Sequence, residues 1–243
     1  MEKSQYGITD KAMSLPVPYY EEPGIVIYHG DARDILPELH GLSHIITDPP
    51  FGICDSALQG EGRTGKRTGG VNMWHPPSTW DMEFPSEIAG ACCDAAPIIA
   101  WFGHWRMREK AEQSIQHPLR CEIVWDKGCH TAPPCPVAPR DERIWLFSEK
   151  KIEPRCFDVS VWNIGLIPTW EYKYHKNEKP LAVMIRLLRF LCDGSSRICD
   201  PFMGSGTTLR AAKDLGMKII GIDIEELNCS VAVRRLQQEV LPL

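Results

Sequence analysis

The chain has 243 residues, 43% of them hydrophobic, and a formal net charge of −5. This length and composition suit one globular α/β domain with a sizeable core, whereas two full domains would both be thin. The charge excludes a domain that is basic throughout, but a local basic face would still allow phosphate binding.

The N-terminal segment lacks the apolar run of a secretory signal, and no stretch reaches the roughly 18 apolar residues of a membrane helix. We therefore expect an intracellular, cytoplasmic protein with no membrane partner. Several of the ten cysteines lie inside apolar runs. Reduced cysteine behaves there as a small hydrophobe, so we interpret them as free thiols.

The hydrophobic pattern predicts alternating strands and helices after an irregular arm at 1–23. In chain order these are strand 24–31, helix 31–41, strand 44–52, helix 86–96, strand 97–103, helix 105–115, strands 121–128 and 143–149, helix 178–192, strand 196–200, helix 206–216, strand 218–223 and helix 225–240. The alternation is typical of a mostly parallel sheet with helices on both faces. Because no helix separates strands 121–128 and 143–149, they predict an antiparallel hairpin at one edge.

The stretch ICDPFMGSGTT at 198–208 reads as a strand ending in Asp200, a turn with Gly204 and Gly206, and a helix. Glycines allow positive φ and close approach of the backbone to a ligand. A second strand ends in Asp223, where a carboxylate can accept hydrogen bonds from ribose hydroxyls. Leu209 occupies the place of the third glycine of a dinucleotide-binding fingerprint, which disfavours nicotinamide cofactors.

DPFMGSGTT followed by GIDIEE, with TDPPFG earlier at 47–52, resembles the motifs of DNA amino-methyltransferases. The catalytic motif precedes the cofactor motifs, as in the β-class of that family, and the resemblance covers about residues 24–240. It implies a Rossmann-like α/β methyltransferase fold that uses S-adenosylmethionine (AdoMet) and binds DNA. HKNEKPLAVM at 175–184 resembles the segment before the cofactor strand, and HGD at 29–31 an acidic segment near the adenosine.

The resemblance implies one domain over 1–243, with a catalytic half at 24–149, a short target-recognition segment at 150–174 and a cofactor half at 175–243. The implied cofactor contacts are Asp31, His175, Lys179, Asp200, Phe202, Gly204, Ser205, Gly206, Thr207, Thr208 and Asp223. The implied catalytic residues are Asp48, Pro49, Pro50 and Phe51.

The residue types of the catalytic motif fit this chemistry. The lone pair of an exocyclic base amine is conjugated into the ring, so catalysis needs acceptors for its two N–H groups. Asp48 and the Pro49 carbonyl supply them, while the prolines remove competing backbone donors. Phe51 offers a face on which an extruded base can stack. The chemistry needs no metal.

Three features of this chain bear on its specificity within the family. Phe51 stands where the family usually has tyrosine, and the motif begins with Asp48, which favours adenine N6 over cytosine N4. The short segment 150–174 is too small for a separate reading domain. A homodimer would supply further DNA-contacting surface, and the recognition sequence stays open.

Two local patterns invite other interpretations. The loop 60–70 nearly matches a phosphate-binding P-loop, but Arg67 replaces its Ser or Thr, so we interpret Arg63, Lys66 and Arg67 as DNA contacts. Cys121, Cys129, His130 and Cys135 match no zinc spacing, and no metal is predicted.

Three functions remain side by side. The first is an adenine N6 DNA methyltransferase of the restriction-modification type, and the second moves the methyl group to cytosine N4 or to an RNA or protein amine. The third is an inactive methyltransferase fold that serves as a nucleic-acid-binding subunit, against which the intact motifs argue.

Overall fold

The computed structural model describes residues 15–51, 83–128, 140–167 and 178–238. The elements found there are β1 Tyr20–Glu22, β2 Ile25–His29, α1 Ala32–Ile35, β3 His44–Thr47, α2 Ser86–Ala95, β4 Ile98–Gly103, α3 Arg108–Ser114, β5 Leu119–Asp126, β6 Asp141–Ser148, β7 Val161–Asn163, α4 Leu181–Leu191, β8 Arg197–Asp200, α5 Thr207–Asp214, β9 Lys218–Asp223 and α6 Glu226–Gln237. Short 3₁₀ turns, Leu36–Glu38 and Trp105–Met107, lie before β3 and α3. None of the helices in these ranges is long and apolar enough to cross a bilayer.

The nine described strands form one sheet in the order β1-β2-β9-β8-β3-β4-β6-β5-β7. The five strands from β2 to β4 in that order pair in parallel. Strand β6 is antiparallel to both β4 and β5, and β1 is antiparallel to β2. The predicted α/β fold with a mostly parallel sheet is therefore confirmed.

Alternation along the strands builds a core on each face of the sheet. Ile46, Ala100 and Phe102 point toward the face that α4, α5 and α6 cover. Their neighbours Ile45 and Trp101 point toward the face that α1, α2 and α3 cover. This period of two, with both faces buried, explains why the central strands are continuously apolar in sequence.

Two short strands lie in stretches predicted to be irregular. Strand β1 lies inside the predicted arm and pairs with β2. Strand β7 pairs with β5 in parallel, so it and not the predicted β5–β6 hairpin forms that edge of the sheet. Each contributes only three residues, too few for a strand pattern to stand out.

Residues 151–160 start at the edge where the parallel strands begin and run antiparallel to α4, from its C-terminal end toward its middle. The Arg155 amide donates to the Phe190 carbonyl, and the Arg186 guanidinium pairs with Asp158. Strand β7 continues in this direction and pairs with the last residues of β5, at the opposite edge. The first half of the predicted target-recognition segment therefore lies away from the strand ends that carry the motifs.

Candidate active site

The candidate residues collect where the parallel strands end. His29 of β2 pairs in register with Asp223 of β9, and Asp200 of β8 pairs with Gly221 of β9. The Thr47 hydroxyl, at the end of β3, donates to Asp200 Oδ1 over 2.8 Å. The carboxyl edge of a doubly wound sheet is its usual ligand site, so both predicted motifs share one location.

The two glycines of the turn after β8 serve different purposes. Gly206 has φ +76°, and a Cβ there would lie 2.8 Å from the Cβ of Ala232, so this glycine allows α5 to pack against α6. Gly204 has φ +52°, but a Cβ there would meet nothing within 4 Å. Its backbone therefore faces open space, as a cofactor cradle requires.

Asp223 ties this turn to the end of β9. Its Oδ2 accepts from the Gly204 amide over 2.9 Å. Its Oδ1 accepts from the Glu225 amide over 2.8 Å and from Asn228 Nδ2 over 3.1 Å. Burial raises the pKa of Asp223, although these hydrogen bonds oppose the rise. A ribose hydroxyl would have to share these oxygens, which is feasible because a carboxylate offers about four acceptor positions.

Asp200 forms the floor between the two motifs. Its side chain is buried, and Oδ1 also accepts from the Phe202 amide over 3.1 Å. Burial raises the pKa of Asp200 to about 7, although hydrogen bonds from Thr208 and Thr47 act to lower it. Asp200 therefore anchors the start of the glycine turn from inside the protein.

Three of the predicted cofactor residues are used within the protein. Thr207 Oγ1 and Ser205 Oγ lie 2.8 Å and 3.4 Å from Nη1 of the buried Arg235. Arg235 Nη2 in turn pairs with Glu178 Oε1 over 2.7 Å. Asp31 caps α1 and forms an ion pair with Arg33, whose hydrogen bonds lower the pKa of Asp31.

The catalytic motif follows β3 directly. Pro49 is buried, whereas Asp48, Pro50 and Phe51 are half-buried at the rim of the strand ends. Lys179 Nζ lies 2.6 Å from Asp48 Oδ2 and 5.2 Å from the centre of the Phe51 ring. The predicted cofactor residue Lys179 thus contacts Asp48, the carboxylate predicted to be catalytic.

Lys179 belongs to a buried chain of alternating charges. Its Nζ lies 3.2 Å from Glu142 Oε2, and Lys127 Nζ lies 3.3 Å from Glu142 Oε1. Burial alone would lower the pKa of Lys179, but attraction to Asp48 and Glu142 outweighs it and raises that pKa. Burial likewise acts to raise the pKa of Glu142, yet attraction to Lys179 and Lys127 lowers it. Lys179 and Glu142 therefore both stay charged at neutral pH.

Four predicted site residues lie outside the described residues: His175, Arg63, Lys66 and Arg67. The same holds for Cys129, His130 and Cys135, while Cys121 is an exposed free thiol. Within the described ranges no group of His, Cys, Asp or Glu is arranged to hold a metal.

Sequence reasoning missed Glu142 and Arg235. Glu142 stands at the start of the buried strand β6, where an acidic residue is unusual unless it is paired. Arg235 shares a helical face with Cys229, Ala232 and Leu236, all buried. In both cases the sequence signal was a charged residue at a position where the pattern predicts a buried apolar one.

Together these features define an open α/β fold in which the open space at Gly204, called the glycine-lined cleft, lies beside an Asp-Pro-Pro-Phe motif at one sheet edge. A DNA methylase family model, that of the N6 and N4 methyltransferases, matches residues 42–234. The chain belongs to this family, and the predicted family membership is confirmed.

Individual relatives agree with this assignment. The Type II methyltransferase M.ScaI of Streptomyces caespitosus is 23% identical over 97% of this chain and 89% of its own. The solved PvuII DNA methyltransferase, described as cytosine-N4-specific, has a TM-score of 0.68 at 14% identity over 93% of this chain and 90% of that one. A complex of M1.HpyAVI with AdoMet, the predicted cofactor, has a TM-score of 0.64 at 22% identity over 88% and 100% of the two chains.

Proposed function

We propose that this chain transfers the methyl group of AdoMet to the exocyclic amino group of a DNA base, with adenine N6 as the acceptor. The observation that carries the proposal is the position of Asp48, which follows a strand directly beside the glycine-lined cleft and is held by the buried Lys179. Membership of the DNA methylase family supports DNA as the substrate.

The cleft fits the cofactor by its backbone. Open space at Gly204 leaves room for a ligand to approach the turn, and Asp223 and Asp31 line its β9 and β2 side. Phe202, Gly206 and Thr208 would complete the cradle, while Ser205 and Thr207 would shape it through Arg235. When bound, AdoMet supplies an electrophilic methyl group.

Asp48 and the Pro49 carbonyl would accept hydrogen bonds from the two N–H groups of the base amine. These hydrogen bonds draw the nitrogen lone pair out of conjugation and direct it at the methyl group. Asp48 is then the nearest acceptor for the proton that the nitrogen loses. Phe51 would stack on the base once the base has left the duplex. Enzymes that modify a base extrude it in this way, because its exocyclic nitrogen is not accessible inside the duplex.

Lys179 is a positioning residue in this scheme. A half-buried carboxylate next to other acids tends to hold its proton, which would remove its value as an acceptor. The ammonium 2.6 Å from Asp48 favours the ionised carboxylate and fixes its rotamer. Glu142 holds Lys179 from the other side, so the ammonium is oriented by two contacts.

Cytosine N4 is the second candidate acceptor. The same two hydrogen-bond acceptors would serve its amine, and the high structural similarity to a cytosine-N4-specific enzyme favours it. A role in restriction-modification is consistent with relatives named Type II methyltransferases. We also propose that DNA recognition involves the later part of segment 150–174, the loop with Arg63, Lys66 and Arg67, and a homodimer.

The test is transfer of labelled methyl from AdoMet to unmethylated genomic DNA, followed by mass spectrometry of the nucleosides. We expect N6-methyladenine from the wild type and no product from Asp48→Ala. Asp94→Ala, an exposed carboxylate near the end of α2, is the matched control and should keep full activity. N4-methylcytosine would correct the base alone, whereas AdoMet binding without any labelled DNA would overturn the proposal.

A further inference from the structure

Trp105 is a large aromatic side chain that the fold leaves uncovered. It is 52% exposed, whereas Trp101, Trp125, Trp145 and Trp162 are fully buried. It begins the 3₁₀ turn that follows the carboxyl end of β4. An exposed indole at a ligand-binding edge is the kind of surface that commonly contacts a partner.

The neighbours of Trp105 hold it in a defined place. The Arg106 guanidinium lies 5.2 Å from the centre of the indole, and the His104 ring lies 5.5 Å away. The Arg106 amide also donates to His104 Nδ1 over 3.4 Å. We call residues 104–106 the aromatic rim.

The aromatic rim adjoins the catalytic motif. Strand β4 pairs with β3, so that Thr47, the residue before Asp48, is opposite Trp101. Phe102, three residues before Trp105, lies with its ring 5.9 Å from Lys179 Nζ, the atom that contacts Asp48.

The order of the strands gives the position of the rim relative to the catalytic motif and the glycine turn. The glycine turn follows β8, the catalytic motif follows β3, and the rim follows β4, so the motif lies between cradle and rim. A base held on Asp48 and Phe51 is still joined to its duplex. The cofactor would occupy the β8 side of the base, which leaves the β4 side for the flanking nucleotides.

We propose that the aromatic rim contacts the DNA next to the extruded base, with Trp105 packing on a flanking nucleotide. The inference rests on the proposed function and adds to it a DNA contact outside the catalytic motif. Stacking on an aromatic ring is indifferent to sequence, and a guanidinium adds a favourable charge for the phosphate backbone. A protein partner would more often meet a wider apolar patch, whereas the exposed Arg106 places a positive charge over this indole.

The first test is photo-cross-linking to duplex DNA in which 5-iododeoxyuridine replaces thymidine, with mass spectrometry of the linked peptides. We expect a linked peptide that contains Trp105 and none that contains Phe157. Phe157 is the matched aromatic, because it is 93% exposed but lies by the C-terminal end of α4, toward the opposite sheet edge. Cross-links at Phe157 as frequent as those at Trp105 would overturn the inference.

The second test is kinetic and uses unmethylated plasmid DNA. Trp105→Ala should raise the KM for DNA about tenfold, as expected for one lost stacking contact, and leave kcat and the Kd for AdoMet within about twofold. Trp105→Phe should recover most of the loss, and Phe157→Ala should match the wild type. An unchanged KM in Trp105→Ala would contradict the inference, as would an equal loss of AdoMet binding, which would indicate a structural role.

The two proposals fail in different ways. A wild-type protein that cross-links through Trp105 but labels no DNA would refute methyl transfer and support the rim. A wild type that methylates DNA and shows no dependence on Trp105 would refute the rim and support the proposed function.

Discussion

Lys179 Nζ lies 2.6 Å from Asp48 Oδ2, a contact between a lysine two residues before α4 and the residue directly after β3. The contact joins the predicted cofactor half of the chain to its catalytic motif. It also gives Lys179, which sequence reasoning assigned to the cofactor, a direct contact with the proposed catalytic carboxylate. The assignment to the cofactor remains a prediction, while the ion pair suggests a first experiment.

Replacing Lys179 with Met should lower kcat for methyl transfer about 10²-fold, because Asp48 would lose the charge that keeps it ionised. The pKa of Asp48 should rise, so the remaining activity should fall as the pH drops through that raised value. Stopped assays of labelled methyl transfer between about pH 6 and pH 9 measure both effects.

Lys179→Arg should recover much of the activity, since it keeps the positive charge. Lys150→Met, at an exposed lysine beyond β6, should match the wild type. A uniform loss at every pH in Lys179→Met, with no new pH dependence, would contradict a role in holding Asp48 ionised.

The two glycines of the turn should separate stability from cofactor binding. Gly206→Ala forces a left-handed φ on alanine and brings its Cβ against Ala232, so we expect a loss of about 2–4 kcal/mol in the free energy of unfolding. Gly204→Ala has strain of about 1–2 kcal/mol but no clash. Its methyl group would occupy the open cleft and weaken AdoMet binding by about tenfold.

Urea unfolding and calorimetric titration with AdoMet measure these two quantities separately. Gly204→Asn is a useful comparison, because asparagine tolerates left-handed φ and isolates the effect of filling the space. Equal loss of stability and of AdoMet binding in both alanine variants would show that the turn has a single, structural role.

Local signals in the sequence predicted the elements that build the site. The strand ending in Asp200, the turn with Gly204 and the helix after it are coded by neighbouring residues, and the structure has all three. The parallel order of these strands follows from the alternation of strands and helices. Their meeting at one edge is then a consequence of the fold.

Contacts between distant residues could not be predicted in the same way. The local sequence marks Glu142 as a charge at the start of an apolar strand but does not identify its partner. Only the pairing of β6 with β4 brings Glu142 near Lys179 and the predicted catalytic motif. Tertiary pairing also determines three-residue strands such as β7, because three residues are too short to show a periodic pattern. The residue that pairs with a buried charge is therefore known only once the sheet is assembled.

Arg235 provides a test of such a distant contact. Arg235→Met should destabilise the protein by about 3–5 kcal/mol, since it breaks the buried ion pair between Arg235 and Glu178. The variant should also weaken AdoMet binding, because Ser205 and Thr207 would lose the donor that fixes the turn. Arg234→Met, at the exposed neighbouring position, should change stability by no more than about 0.5 kcal/mol. A stability loss shared equally by both variants would contradict the assigned contact.

Asp200 should make stability depend on pH in an unusual direction. Its folded-state pKa of about 7 lies above the usual value of 3.8. Between these values the unfolded chain has lost the proton and the folded protein still holds it, so rising pH destabilises the fold through this group. Below about pH 4 both states are protonated and the penalty is absent; above about pH 7 both are ionised and the penalty is complete. Asp200→Asn keeps an oxygen acceptor for Thr47 and Phe202 but cannot ionise.

The stability of Asp200→Asn relative to the wild type should therefore rise between about pH 4 and pH 7 and then level off. Urea unfolding of both proteins at closely spaced pH values measures this difference directly, and groups common to both proteins cancel. Asp94→Asn, at an exposed carboxylate, should give a relative stability that changes little with pH. A flat difference for Asp200→Asn would mean that Asp200 is already ionised across this range, held so by its hydrogen bonds from Thr47, Thr208 and the Phe202 amide.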